Sequence, residues 1–281
     1  IVLPTLRSQT IIVPWASPEE KSIAEQIHSM IHFSEVTPAN GVDALISALT
    51  GGGNVLPAMI RARQCCVYPQ LLKTPIRKLQ QMGQIPDDMS IDDIKTNSKM
   101  DFIVNHIDQR KTNDRRKILF CHYRSEIDYL SETLANLGIT NLCVDGRTTK
   151  SERKYALDPV KPITEPIFRT VCKQWSEYGG WLYENIEQYI PTHQVLIVQI
   201  QTACEGLNLQ HFQEIYFTSP HFNPAVESQA IARSHRIGQT EEVDVFRFVM
   251  ENFEDDAWTI DRYCMYVQEE KLKLNKLLDI E

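Results

Sequence analysis

The sequence predicts an α/β fold: a parallel sheet flanked by helices on both faces. Three observations carry this expectation. Short runs rich in β-branched and aromatic residues recur, KILFCHY at 117–123, ITNLCVDG at 139–146, HQVLIVQI at 193–200, EIYFTS at 214–219 and VDVFRFVM at 243–250. Helical text separates them, as SEIDYLSETLANLG at 125–138 and again from Asn223 to Ile237. Runs of this length alternating with amphipathic helices are the signature of βαβ units, whose strands are covered on both sides.

Along the chain, SPEEKSIAEQIHSMI (17–31) offers a Ser N-cap, Pro at the first helical position and acids in the first turn, so a helix is expected. SEVTPANG breaks the pattern, VDALISAL resumes it, and TGGGN reads as a C-cap and loop or as a phosphate cradle. A P-loop would continue into Gly-Lys, and none of the 11 glycines is followed by Lys. VLPAMIRARQCCVYPQLL (55–72) predicts a helix stopped before Pro69. Residues 73–97, with Pro75, Pro86 and DDMSIDD, read as a surface connection. Gly138 is placed as the C-cap of the 125–138 helix. Residues 158–191 carry four prolines and two tryptophans, too long for an ordinary connection and therefore a surface insertion. The tail DAWTIDRYCMYVQEEKLKLNKLLDIE predicts one long amphipathic helix.

With 281 residues, 42% of them hydrophobic, the chain is long enough for one large or two modest domains. A net charge of −8 excludes a protein that coats nucleic acid by overall basicity and leaves room only for a local polyanion site. Seven cysteines with no CxxC spacing read as reduced thiols of an intracellular protein, neither a disulfide framework nor a zinc site. No apolar run is long enough for a membrane span, and the start IVLPTLRSQT, without signal features or an initiator Met, reads as the edge of a piece of a larger protein.

In a parallel sheet, ligands sit beyond the carboxyl ends of the strands. The stretch after VLIVQI is QTACEGLNLQ (201–210), where Gly206 permits close backbone approach and Asn208 offers an amide. EIYFTSPHFNP then leads into a helix begun by Asn223 as N-cap and Pro224 at the first position. Gln229, Arg233 and Arg236 are spaced four and three apart, which on a helix puts them on one face. Two adjacent guanidiniums fit a carboxylate partner, a solvated face or a phosphate. Residue types alone leave the three open.

GLNLQ, SPHFNPAVESQAIARSHRIGQ and VDVFRFV, in this order and spacing, resemble motifs V and VI of the Swi/Snf family of DNA-translocating ATPases, within helicase superfamily 2. KILFCHYRSEIDYL resembles motif IV, VDGRTTKSER the family's Asp-Gly turn, IRARQCCVYPQLL its inter-lobe cysteine segment, and LPTLRSQTIIVPWASPEE the stretch leaving the first lobe. This chain departs from the family at QIQTAC (199–204) and Glu205, where Ser-Thr-Arg-Ala-Gly-Gly is common.

The resemblance implies a RecA-like C-terminal lobe at 99–252 with an insertion at about 158–191, preceded by a helical inter-lobe region at 1–98 and followed by a bracing helix at 253–281. It implies ATP between two lobes, with Mg2+ and the P-loop supplied by an N-terminal RecA-like lobe that this sequence lacks, having neither Gly-Lys nor Asp-Glu. Arg233 and Arg236 then match the motif VI arginines that reach the ATP phosphates, Gln229 the motif's leading glutamine, and Gly206 and Asn208 the nucleotide-side residues of motif V. Arg124, Arg147, Thr148, Lys150 and Gln201 fall where the family grips DNA phosphates. No metal ligand is assigned in this chain. The implied partners are the N-terminal lobe, double-stranded DNA and nucleosomes or other DNA-bound proteins, with no membrane, and the implied location is the nucleus. Two alternatives stand beside this: an inactive lobe that docks a partner through Trp175 and Trp181, and an RNA-directed superfamily 2 helicase.

Overall fold

The computed structural model describes residues 3–29, 55–81, 92, 94–149, 153, 194–203, 209–254 and 257–277. In chain order the elements are β1 (Leu6–Val13), α1 (Pro18–His28), α2 (Val55–Val67), a 3-10 turn (Pro69–Leu72), α3 (Lys73–Gln81), α4 (Ser98–Gln109), β2 (Lys117–Cys121), α5 (Arg124–Asn136), β3 (Asn141–Val144), β4 (Val195–Gln199), the single turn α6 (Ile200–Ala203), β5 (Glu214–Phe217), α7 (Pro224–Ser234), β6 (Val243–Met250) and α8 (Ile260–Leu277). The expected helix in VDALISAL, the TGGGN loop and the 158–191 insertion lie outside the described residues.

The six strands are ordered β1-β6-β5-β2-β4-β3, and the ladders β5 with β2, β2 with β4 and β4 with β3 are all parallel. The α/β class read from the sequence is the observed one. β2 and β5 are buried along their whole length, which is why, after the Lys117 and Glu214 that open them, their text is continuously apolar instead of alternating. Phe120 stacks on Phe217 from the neighbouring strand at 5.2 Å, a contact worth about 0.5–1.5 kcal/mol beyond area burial.

The chain divides into two compact units. The first, residues 1–9, 104–217 and 228–246, holds the parallel strands. Around the amino ends of β2 and β5 it builds a charge network on Glu214, which is fully buried. Glu214 accepts hydrogen bonds from Arg110 (2.5 Å), Asn113 (2.7 Å) and the Tyr216 hydroxyl (2.8 Å), and Lys117 Nζ lies 3.6 Å away. Asp244 pairs with Arg7 (2.7 Å) and with Arg115. Burial alone would raise the Glu214 carboxyl, but the Arg110 hydrogen bond and the Lys117 charge outweigh it and hold the group below its usual range.

The second unit, residues 10–103, 218–227 and 247–281, is built on α1, α2, α3 and α8. Glu20 accepts from Thr96 Oγ1 (2.6 Å) and Ser98 Oγ (2.7 Å), which fixes the start of α4. Asp261 pairs with buried Lys99 and accepts from Ser219 Oγ (2.9 Å) and the Met250 N–H (3.0 Å). His28 faces the Ala24 carbonyl through Nδ1 (2.7 Å) and accepts from the Ile260 N–H through Nε2 (3.0 Å), an arrangement that only the neutral Nδ1–H ring satisfies. Burial pushes its pKa down to about 4.

Three segments differ from the sequence reading. Leu6–Val13, assigned to a helical region, is a strand, as its TIIV run favours. Lys73–Gln81, read as part of a connection, is helical: Pro75 falls in the first turn, where a missing N–H costs nothing, and the residues after it are good helix formers. α4 was not anticipated, although Met100, Ile103, Val104 and Ile107 recur at helical spacing and are all buried. A short helical turn, α6, also stands at Ile200–Ala203 where a strand end and a loop were expected; α1 starts from Ser17 as N-cap and α2 ends before Pro69, as the sequence indicates.

Candidate functional site

The candidate side chains of the first unit emerge where parallel strands end. At the end of β2, the buried Glu126 carboxylate accepts the N–H groups of His122 (2.9 Å) and Tyr123 (3.0 Å), closing a capping box that turns the chain directly into α5. Arg124, the first residue of α5, is thereby held exposed. A Cβ added at Gly146 would lie 3.1 Å from Arg124 Nη2, so the guanidinium covers the Asp-Gly turn that follows β3. That turn is closed by Thr148: its N–H donates to the Asp145 carbonyl (3.0 Å) and its hydroxyl accepts from the Asp145 N–H (2.9 Å). Past the end of β4, Gln201 sits exposed on α6, and Gln199 Nε2 donates to the His122 carbonyl (3.4 Å), tying the β4 and β2 ends together.

The topology thus gathers Arg124, Arg147, Thr148 and Gln201 at the carboxyl ends of the adjacent strands β2, β4 and β3. Arg147 is already engaged. It meets Asp128 with two hydrogen bonds (2.7 and 3.1 Å) and Asp145 with three more (2.5, 2.9 and 3.2 Å). Hydrogen bonding to Asp128 and then to Asp145 raises the Arg147 pKa, while the buried Asp145, which burial alone would raise, is held below its usual range by Arg147. Lys150, Gly206 and Asn208 lie outside the described residues.

The arginine pair is carried by α7. Asn223 Oδ1 accepts the Ala225 N–H (3.1 Å) and Pro224 opens the helix, as its sequence indicates. The helix stops at Ser234, however, so Gln229 and Arg233 are on it while Arg236 is in the turn beyond. The Arg236 N–H bonds to the Ser234 carbonyl (3.2 Å), and Gly238, at φ +102°, ends the turn in a conformation that side-chain-bearing residues rarely adopt. The helical spacing that would put Arg236 on a face with Gln229 does not reach it.

This turn is clasped to the segment after β4. The Leu209 N–H donates to the Arg233 carbonyl (3.1 Å) and Gln210 Nε2 to the Ile237 carbonyl (2.6 Å). Buried Gln239 donates to the Gln210 carbonyl (2.9 Å) and accepts from the Thr240 and Glu241 N–H groups (3.0 and 3.1 Å). His235 Nε2 lies 2.7 Å from the Pro4 carbonyl. Gly238 also leaves room for Gln210, whose amide would lie 3.0 Å from an added Cβ. Gln210, Gly238, Gln239 and Glu126 were not singled out by the sequence, because their role is to hold backbone and not to present chemistry. The signal for Gln210, Gly238 and Gln239 is that GLNLQ and IGQ close the two segments they join, and for Glu126 that it stands three residues after the N-cap Tyr123.

Arg233 is half-buried and Arg236 exposed, and neither guanidinium has a carboxylate or hydrogen-bond partner among the described residues. Two unpaired cations, one on the last turn of α7 and one in the backbone-locked turn beyond it, can bind an anion with little reorganisation. No cluster of metal-ligating side chains occurs among the described residues, and no helix there is long and apolar enough to cross a membrane.

No family model matches the chain. An uncharacterized ATP-dependent helicase of Mycoplasma genitalium is 28% identical over 206 residues, covering 73% of this chain and 17% of the relative. The DNA repair protein RAD5A of Arabidopsis thaliana is 27% identical over 153 residues, 54% of this chain and 12% of the relative. The ISWI chromatin-remodeling complex ATPase CHR17 of Arabidopsis thaliana is 26% identical over 212 residues, 74% of this chain and 17% of the relative. The chain therefore spans less than a fifth of the length of these relatives, 12 to 17%. The crystal structure of the C-terminal part of the Fun30 ATPase domain superposes with a TM-score of 0.55 at 14% identity, covering 96% of this chain and 100% of that one, which shows a shared fold. The chain is a homologue of the Swi/Snf-family ATP-dependent helicases and has the RecA-like fold of a superfamily 2 C-terminal lobe.

Proposed function

We propose that the chain acts as the C-terminal lobe of an ATP-dependent double-stranded-DNA translocase of the chromatin-remodelling type. The observation that carries this reading is the arginine pair: Arg233 and Arg236 have no partner among the described residues, yet the backbone around them is locked by Leu209, Gln210 and Gln239. The site fits triphosphate chemistry from one side, because its cations suit phosphate. In this reading ATP and Mg2+ are held mainly by an N-terminal RecA-like lobe, and that lobe supplies the P-loop that no glycine here can form.

Arg233 and Arg236 would stabilise negative charge on the transferred phosphoryl group, an effect worth roughly 10³ to 10⁵ in rate where arginine fingers have been removed elsewhere. Gln229 would orient the pair, and Gly206 and Asn208 would line the same phosphates. Because the arginines act only when the lobes are closed, hydrolysis is coupled to their movement. Arg124, Thr148, Lys150 and Gln201 would contact DNA phosphates, with Arg147 joining when its carboxylate partners yield. Phosphate contacts carry no sequence information, which suits a motor that must work anywhere on a duplex. Alone, the lobe would not hydrolyse ATP. The relative named as a chromatin-remodeling ATPase supports nucleosomes as a substrate and a nuclear location.

ATP hydrolysis by the complete two-lobed protein, measured with double-stranded DNA, with RNA and with neither, tests this. Stimulation by the duplex is the expected result. Stimulation by RNA alone would move the protein to the RNA-directed helicases, and no hydrolysis under any condition would make it an interaction module.

A further inference from the structure

The loop that leads into α7, SPHFN at 219–223, is held mainly by side chains of α2 and α8. Three successive carbonyls in it accept from side chains instead of backbone. Arg63 on α2 donates to the Pro220 carbonyl, Gln268 on α8 to the His221 carbonyl (2.5 Å), and Lys271 on α8 to the Phe222 carbonyl (3.1 Å). The remaining contacts tighten the same grip. Ser219 Oγ donates to Asp261 (2.9 Å), and the His221 N–H donates to Glu227 Oε1 (2.8 Å), which also accepts from Gln268 (2.7 Å). Glu227 is buried on α7 and is paired by its other oxygen with Arg247 (2.7 Å).

Arg63 is the member hardest to explain as packing. It is 9% exposed, it has no carboxylate partner among the described residues, and its Nε makes no hydrogen bond. Its charge is spent on the Pro220 carbonyl and on the face of the Phe222 ring, 5.0 Å from the guanidinium carbon. Burying a cation is costly unless its contacts are worth the desolvation, and a charge-assisted hydrogen bond with a cation–π contact are what this one obtains. A loop held by its own backbone ladder would keep its path whatever the helices did. One held by Arg63, Gln268 and Lys271 takes its path from α2 and α8.

We propose that Arg63, Gln268 and Lys271 are positioning residues for the arginine helix: through the 219–223 loop they set where α7 begins and hence where Arg233 and Arg236 are delivered. The inference rests on the reading that this pair meets phosphate. A displacement of about 1 Å at a reacting centre can cost about 100-fold in rate, so small losses of grip should be visible in turnover.

The test uses the complete two-lobed protein with duplex DNA. Arg63→Lys keeps the charge and loses the planar stack, Gln268→Ala removes one carbonyl donor, and Phe222→Leu removes the ring face from a half-exposed position where folding is spared. Each should lower kcat for ATP by about 10- to 100-fold while KM stays within about threefold, the split expected of a group acting through the catalytic pair. Combined with Arg236→Ala and read by single-turnover hydrolysis, none should lower the residual rate further. Should Arg63→Lys fail to fold, Phe222→Leu and Lys271→Ala carry the same comparison. Unchanged kcat in folded variants, with Arg236→Ala inactive, overturns this inference alone, and so does an equal loss in the Arg236→Ala background. Full activity of Arg236→Ala itself overturns the phosphate reading and this inference together.

Discussion

Within the first unit, arginines at the amino ends of the strands and arginines at the end of α7 keep different company. Arg7, Arg110 and Arg115 each find Glu214, Asp244 or both, and Lys117 lies beside Glu214, so every one of these charges has its counterion in the fold. Arg233 and Arg236 have none among the described residues, although the peptide groups around them are well bonded. Arg147 stands between, exposed yet paired with Asp128 and Asp145. Residue type is the same throughout; what separates a structural cation from an available one is whether the fold has supplied its anion.

Breaking the paired end should cost stability without touching chemistry. Glu214→Ala leaves Arg110 and Lys117 without their buried partner and is expected to destabilise the protein by about 3–5 kcal/mol, measured by denaturant unfolding, with kcat per folded molecule unchanged in the complete protein. If turnover fell instead, the amino-end network would be part of the site.

Acid should act on the same side of the comparison. His28 has a depressed folded pKa of about 4 against an ordinary 6.5, so its contribution is intact above pH 6.5 and is lost as pH falls toward 4, by on the order of 3 kcal/mol. Glu214 and Asp244 are also held below their usual range, where the burial that would raise them is outweighed by arginine partners; their contribution is present above the ordinary carboxylate pKa and fades as pH drops through the folded value. Unfolding midpoints from pH 8 to pH 3 should decline in those two steps, and His28→Gln should remove the first.

Sharpening the available end calls for Gly238→Ala. The substitution forces a side chain into φ +102° and against Gln210, and should cost about 1–3 kcal/mol while loosening the arginine turn. Thermal unfolding together with ATPase rate would show both losses. The smallest effect is expected at Arg147→Ala. Since this guanidinium must leave two carboxylates to meet a phosphate, duplex affinity should fall only by a few fold and the salt dependence by about one counterion, in a titration across salt concentrations.

How legible this was in the sequence depends on the distance over which each feature is decided. Strands β2, β4 and β5 were readable because burial on both faces is written locally, in runs such as LIV and EIYF. The start of α7 was readable because Asn223 and Pro224 act on their own neighbours. Its end was not. Arg236 leaves the helix because Gly238 and Gln239 are held by Gln210, which is 29 residues from Gln239. The Glu214 network joins residues about a hundred apart, Arg110 and Glu214 being separated by 104, and no motif marks it. α3 was obscured by the weight given to Pro75, which the first turn of a helix tolerates.

In the proposed function, the unpaired arginines serve the transferred phosphate. Single-turnover hydrolysis by Arg236→Ala in the complete protein, saturated with duplex DNA and compared with its equilibrium ATP affinity, tests it most directly. The expected result is a rate reduced by about 10³-fold or more with affinity nearly unchanged. Hydrolysis at the unsubstituted rate, or a loss explained wholly by weaker ATP binding, would contradict it.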